Sequence, residues 1–170
     1  YGRNWIRYRG YFRITPLNSK SKLINRVSME EYLYGVVPRE SPASWPTEAV
    51  KAQAVAARSY AYTSRGELFC TVWSQVYCGH SKGSDRTRTE AYEDSRSNAA
   101  IDATRNKVVK SDSTVVQTFF FASSGGHTAN IETVWTSSSP KTYYTGVVDP
   151  HEPAAASSWG DPKYFSTSSI

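Results

Sequence analysis

The run "WPTEAVKAQAVAARSYAYTSR", residues 45 to 65, constrains the fold of this 170-residue chain more than any other stretch. Pro46 suits the first turn of a helix, Glu48 complements its positive end, and no breaker follows until Gly66. Alanines at 49, 52, 54, 56, 57 and 61 leave little side chain, so neighbouring backbones can approach closely and burial on more than one side is expected. Lys51, Gln53 and Arg58 are polar groups set into that small-residue stretch. Lys51 and Arg58, seven apart, share one side as an exposed face would, while Gln53 points elsewhere.

Upstream, "RYRGYFRITPLNSKSKLINRV" reads as two strands of alternating apolar and polar residues joined by the turn-prone "PLNSKSK". Ser28 and Glu31 match a capping box, and a short helix through "EEYLYGV" is expected to end by Pro38. Next comes "VVPRESPASWP", with Arg39-Glu40 between Pro38 and Pro42. The two prolines stiffen the backbone and discourage a helix, which puts Glu40 on a constrained, non-helical segment. Val36, Val37, Pro38, Pro42 and Trp45 would give its carboxylate a partly apolar setting.

After the alanine-rich helix, "FCTVWSQVYCGHSKGSD" is loop-rich or short-strand. Within it Gln75 and Tyr77 alternate with Val76, as two residues on one face of a strand do. Residues 86 to 104 read as a third helix, and "KVVKSDSTVVQTFFFAS" as a hairpin around Ser111-Asp112-Ser113. The hairpin runs into "SSGGHT", a polar turn whose backbone N–H groups could meet a ligand. The tail from Asp149 is rich in Pro, Ala and Ser and calls for no regular structure. Strands, then helices, then strands argue for an α+β fold: a single domain over residues 1–170 with antiparallel β hairpins packed around the alanine-rich helix, its core about 7–150 and its tail 151–170 irregular or truncated.

A net charge of +5 favours an anionic partner: nucleic acid, an acidic glycan or wall polymer, or a membrane surface. The basic residues are scattered, the densest cluster being "RYRGYFR", and no nucleic-acid motif is present, so nucleic-acid binding is not expected. Aromatics at 14% point to a recognition surface. No apolar run approaches the roughly eighteen residues of a membrane span. The chain opens at Tyr1 without an initiator methionine, which reads as a processed piece whose missing end would carry targeting. Cys70, Cys78 and His80 form C-x7-C-x-H. That spacing admits a local disulfide Cys70–Cys78 suited to an exported protein, two free thiols, or a metal site, though not the tight pairing of a zinc site.

These stretches together resemble the SpoIID/LytB family, named for stage II sporulation protein D and the amidase enhancer. The likeness is carried by "RYRGYFRI", "INRVSMEEYLYGVVPRESPASWPTEAVKAQAVAARSYAYT", "SQVYCG" and "FFFASSGGHTANIETVWTSSSPKTYYTGVVDP", roughly residues 7 to 150 in the family's order. The resemblance implies sporulation-type peptidoglycan chemistry outside the cytoplasm. Members act as lytic transglycosylases on the MurNAc–GlcNAc β-1,4 bond of denuded glycan strands, beside an N-acetylmuramoyl-L-alanine amidase that strips the stem peptides. It makes Glu40 the catalytic acid and places Lys51, Gln53, Arg58, Gln75, Tyr77, Ser123, Ser124, Gly125, Gly126 and Thr128 around the substrate. It implies no cofactor. In the family the glutamate stands in S-E-M-P; here it is "RESP", and Arg39 would oppose an acid role if the two side chains met. Some members bind zinc near "SQVY", but Ser74 stands where a second cysteine would, so no metal is expected. The family's "GHG-x-G-x-SQ-x-GA" block is absent. In the enhancer branch, the same surface would bind the wall and stimulate an amidase without catalysis.

One glutamate is chemically sufficient for this reaction. Protonating the glycosidic oxygen needs an acid, and a hydrolase would normally need a second carboxylate as well. When the sugar's own 6-hydroxyl is the nucleophile, a single Glu can serve as acid and then as base. Glu30, Glu31 and Glu48 sit at helix starts, where helix stabilisation is sufficient explanation.

Overall fold

The computed structural model describes residues 4–64, 67–84 and 87–152 and has an α+β architecture. Two compact units divide the chain, Tyr1–Phe119 and Phe120–Ile170.

In the first unit the amino-terminal segment makes three strands where two were expected. β1 (Asn4–Arg7) pairs with β4 (Ser81–Ser84), which pairs with β5 (Thr87–Ala91), all antiparallel. β2 (Tyr11–Leu17) and β3 (Lys20–Arg26) form a separate two-stranded hairpin. Its turn is tighter than "PLNSKSK": only Asn18-Ser19 lie between the strands, and Asn18 takes the bend at φ 53°. Pro16 is tolerated inside β2 because both strands of a lone hairpin are edges.

Helix α1 (Met29–Glu40) runs through Pro38 and does not end before it. The break comes at Pro42: Ser41 ahead of it is extended at φ −138°, ψ 128°, and its N–H still bonds to the Val37 carbonyl at 2.9 Å. A proline in a helix interior costs about 3 kcal/mol, which the complete burial of Val36 and Val37 beside it offsets. At the start of α1, Ser28 Oγ donates to the Glu31 carboxylate at 2.7 Å and not to a backbone N–H, so a side-chain pair stands in place of the expected capping box.

The alanine-rich helix α2 (Thr47–Thr63) is buried on two sides, as its composition demands. Val50, Ala54, Ala57 and Arg58 face the core with Leu33, Val36 and Val37 of α1 and Ala100 and Ile101 of α3. On the other side, Ser59 Oγ accepts from the Val109 N–H at 2.9 Å. The expected 86–104 helix is half strand. α3 is Ser95–Ala103, opened by Asp94, whose carboxylate accepts from the Arg96 N–H at 2.8 Å. The hairpin after it is real but short: β6 (Lys110–Ser111) and β7 (Thr114–Val115) turn at Asp112, φ 51°.

Two substitutions test this packing. A Cβ on Gly35 would lie 2.6 Å from Tyr77 Cε2 and 3.0 Å from the Gly79 carbonyl. Tyr77 is anchored through its hydroxyl to Asn25 Oδ1 at 3.0 Å and cannot simply yield. Gly35→Ala is therefore expected to lower the melting temperature, its overpacking cost of about 1–3 kcal/mol exceeding the roughly 1 kcal/mol of added helix propensity. An unchanged or higher melting temperature would show that the ring moves freely.

Asp94→Ala removes the α3 cap, at about 1 kcal/mol. The hydrogen bonds from Arg96, side chain first and then backbone, hold the Asp94 carboxyl down at about 2 against its ordinary 3.8. Its folded pKa being depressed, its contribution is present above pH 4 and lost as pH falls through about 2. Acid unfolding of Asp94→Ala should accordingly be shallower than wild type across that window. An identical acid profile would remove Asp94 as a contributor.

The second unit is sparse in regular structure. It has a one-turn helix α4 (Ile131–Val134), a 3-10 turn at Thr142–Tyr144 and an isolated bridge between His127 and Val148. The Thr128 N–H bonds to the Val147 carbonyl at 2.9 Å and the Val147 N–H to Thr128 Oγ1 at 2.8 Å. Most of the expected irregular tail, residues 153–170, lies outside the described residues.

Candidate functional site

Glu30, Leu33, Val37 and Glu40 follow one helical stripe of α1, at the i, i+3, i+7 spacing that turns to one face. The middle of that stripe is core, and each end is a carboxylate. The two ends are satisfied in opposite ways.

At the first end Glu30 is buried, and the guanidinium of Arg58 grips both its oxygens, Nε to Oε1 at 3.1 Å and Nη2 to Oε2 at 2.7 Å. Arg58 also donates to the carbonyls of Ile101 and Lys107, each at 3.1 Å. Only 2% of Arg58 is exposed. The expected exposed face with Lys51 is thus overturned: Arg58 is a buried strut joining α1, α2 and the end of α3. Two turns separate the residues, and Lys51 lies at the open end of the helix, its ammonium 2.7 Å from Glu48 Oε1.

At the other end Glu40 is half-buried, and Oε1 accepts from the Val76 backbone N–H at 2.9 Å. Oε2 has no hydrogen-bond partner among the described residues. Helical geometry turns Arg39 about 100° away from Glu40. Its guanidinium lies over the Tyr92 ring, 5.1 Å from the centroid, so the arginine that would have opposed Glu40 is occupied elsewhere.

The 75–77 segment that meets Glu40 is not a strand, contrary to the alternation of its side chains. Both side chains are buried, Gln75 at 1% exposure and Tyr77 at 8%. Gln75 Nε2 donates to the Ala57 carbonyl at 3.2 Å, and its Oε1 accepts from the Tyr32 hydroxyl at 3.1 Å. Tyr77 packs against Tyr32, the rings tilted by 43° with centroids 5.1 Å apart, and burial pushes its hydroxyl up to about 12. Two anchored side chains therefore fix the N–H between them. Burial also raises the Tyr32 hydroxyl above the tyrosine range, with Tyr60 and Glu40 adding to it. Tyr32 was missed by sequence reasoning; its i+8 spacing to Glu40 is the signal that would have found it.

Gln53 is half-buried on α2, and its Nε2 is buried with no partner among the described residues. An aromatic groove of about 1170 Å³ opens between the β2–β3 hairpin and residues 67–70, lined by Tyr8, Phe12, Met29, Tyr32, Phe69 and Tyr77 among others. Glu40 does not line it; Tyr32 belongs to the groove and, through Gln75, to the segment that holds Glu40. Cys70 and Cys78 are both free thiols, the first exposed, one of the three arrangements their spacing admits.

Ser123, Ser124, Gly125, Gly126 and Thr128 belong to the second unit. Gly125 and Gly126 take φ of 65° and 94°, which non-glycine residues adopt at a cost, with open space where a Cβ would stand. The Ser124 N–H and hydroxyl both reach the Glu152 carboxylate, and the hydroxyl also lies 3.0 Å from Asp149 Oδ2. The Ser123 and Ser124 hydroxyls hold the Glu152 carboxyl below its usual range. Thr128 is taken up by its two bonds to Val147.

A family profile described as "Stage II sporulation protein" matches residues 17–110. The "Amidase enhancer" of Bacillus subtilis is 39% identical over 109 residues, covering 64% of this chain and 14% of that protein. "Stage II sporulation protein D" of the same organism is 30% identical over 167 residues, 91% of this chain and 46% of the relative. An uncharacterized protein of Brachyspira hyodysenteriae is 34% identical over 140 residues, 78% of this chain and 35% of its own length. The chain thus spans less than half of each of these relatives. No solved structure matches.

Proposed function

Since this chain belongs to the SpoIID family of stage II sporulation proteins, we propose that it is a peptidoglycan lytic transglycosylase with Glu40 as its single acid–base residue. The observation that supports this reading is the asymmetry of the α1 stripe. Glu30 has both oxygens committed to Arg58, whereas Glu40 has one oxygen fixed by a backbone N–H and the other unengaged among the described residues. A carboxylate oriented through one oxygen can carry a proton to a glycosidic oxygen on the other and take one back from the 6-hydroxyl that attacks. The substrate is a denuded glycan strand, cut at its MurNAc–GlcNAc bond, and the reaction needs no cofactor. Gln53, whose buried Nε2 has no partner among the described residues, and Lys51 are the α2 groups of the expected set that retain hydrogen-bonding capacity. The setting is extracytoplasmic, at the cell wall; no helix among the described residues is long and apolar enough to cross a membrane.

The likeness to the amidase enhancer supports a second reading, a non-catalytic wall-binding module that stimulates an N-acetylmuramoyl-L-alanine amidase. Incubation with denuded glycan strands, followed by mass spectrometry for 1,6-anhydro-muramic ends, separates the two. Release by wild type and loss in Glu40→Gln is the expected result. No release from either, with amidase stimulation retained, would leave the enhancer reading standing alone.

A further inference from the structure

We propose that Arg26, with Tyr11 beside it, forms a subsite for a muramoyl residue bearing a free lactyl carboxylate, in the aromatic groove between the β2–β3 hairpin and residues 67–70. The inference rests on the transglycosylase reading for its polymer. It adds the group by which a denuded strand is told from one that still carries peptides.

The groove is lined by a run of aromatic rings in contact. Phe12 meets Tyr8 edge-on with centroids 5.3 Å apart, Tyr8 lies 5.9 Å from Tyr77, and Tyr77 lies 5.1 Å from Tyr32. Such rings offer an apolar surface to the C–H face of a pyranose, and a tyrosine adds a polar tip for its hydroxyls. The hydroxyls of Tyr8 and Tyr11, both on the groove, have no hydrogen-bond partner among the described residues. Tyr32 links the groove to Glu40. Its hydroxyl donates to Gln75 Oε1 at 3.1 Å, and Glu40 stands eight residues further on, about 12 Å along α1. Sugars in the groove therefore lie beyond the bond being cut, as further rings of the same strand.

Charge decides which sugar. The charged side chains on the groove are Lys22, Arg26, Glu31 and Glu67. Lys22 pairs with Glu67, while Glu31 accepts from Ser28 Oγ at 2.7 Å and lies 4.0 Å from Arg9. Among the described residues no acidic side chain pairs with Arg26, which leaves the groove one uncommitted cation. Arg26 stands directly opposite Tyr11 in the β2–β3 ladder, where facing side chains start about 5 Å apart. Tyr11 is 62% exposed, so a pyranose laid against its ring brings a substituent of that sugar within reach of the guanidinium. The backbone under the pair is held. Asn25 Nδ2 donates to the Arg9 carbonyl at 2.9 Å, and its Oδ1 accepts from the Tyr77 hydroxyl at 3.0 Å. A Cβ on Gly10 would lie 2.0 Å from the Arg26 carbonyl oxygen, so the glycine at φ 74° lets the two strands meet there. A guanidinium fork matches a carboxylate. In a denuded strand the sugar that carries one is MurNAc, through its lactyl group. Where a stem peptide remains, that carboxyl is an amide and the match is lost.

The test is isothermal titration of the Glu40→Gln protein, used so that the ligand is not consumed, with two tetrasaccharides of alternating GlcNAc and MurNAc. One has free lactyl carboxylates; the other has them capped as methylamides. The free oligomer is expected to bind about tenfold more tightly or better, the worth of one charge-assisted hydrogen-bonded pair. Arg26→Gln in the same background should bring the free oligomer to within about twofold of the capped one and leave the capped one's affinity unchanged, which a folding defect would not do. Arg26→Lys should keep part of the preference, as a point charge without the fork. Tyr11→Ala should weaken both oligomers alike. The proposal is overturned if neither oligomer binds, if the two bind equally, or if Arg26→Gln keeps the preference or lowers both affinities together. Tighter binding of the free stem peptide than of the free oligomer also overturns it, by making the groove a peptide site. A preference for the free oligomer, with no 1,6-anhydro ends released by wild type, would overturn the transglycosylase reading and leave the subsite standing.

Discussion

Arg58→Met is expected to destabilise the protein by about 3–5 kcal/mol, the cost of leaving one member of a buried ion pair without its partner. The change leaves the Glu30 carboxylate at 8% exposure with no cation and deprives the carbonyls of Ile101 and Lys107 of their donor. Set against the 5–15 kcal/mol that holds a typical domain together, roughly a fifth or more of the stability is lost. Urea unfolding measures it, and the double variant Glu30→Met, Arg58→Met supplies the control. Two apolar side chains of similar length in place of the pair should recover most of the loss. Arg58→Lys should recover little, since an ammonium cannot serve both carboxylate oxygens and two carbonyls from one plane. A single variant as stable as wild type but unable to bind glycan would make Arg58 a substrate residue after all.

The second large effect is on chemistry. Glu40→Gln keeps the side-chain shape and leaves an oxygen to accept from the Val76 N–H, so the fold should be unchanged. What it removes is proton transfer, commonly a factor of 10²–10⁴ in rate. Formation of 1,6-anhydro-muramic ends should therefore fall by about 10²-fold or more at an unaltered melting temperature. Rates within about threefold of wild type would rule Glu40 out as the acid.

How much of this was legible in the chain depended on whether a signal was local. The alanine-rich helix, the hairpin at Asp112 and the turn at Gly125-Gly126 are each written in a few neighbouring residues and appear where the sequence puts them. Pro38 misled because its local penalty is plain, whereas what outweighs it, Val36 and Val37 at 0% exposure, belongs to the packed core. Once the helix is carried through that proline, the spacing 33, 36, 37, 40 places Glu40 on the buried stripe. Arg58 and Glu30 are 28 residues apart, and nothing near either announces the other. Gln75 and Tyr77 alternate like strand residues, yet they are held by Tyr32, Ala57 and Asn25, which are distant in sequence. Strand propensity says nothing about such partners.

Helix α1 also acts as a ruler with a fixed zero. Arg58 pins it at Glu30, and each residue beyond adds about 1.5 Å and 100° of rotation until Glu40 presents its carboxylate some 15 Å away. Leu33, Val36 and Val37 between the two hold the helix in the core, and the number of residues sets how far along it the carboxylate stands. A single insertion or deletion among them would swing Glu40 by a quarter turn or more, off the Val76 N–H and out of the site. What this stretch must preserve is therefore a length as well as its buried side chains.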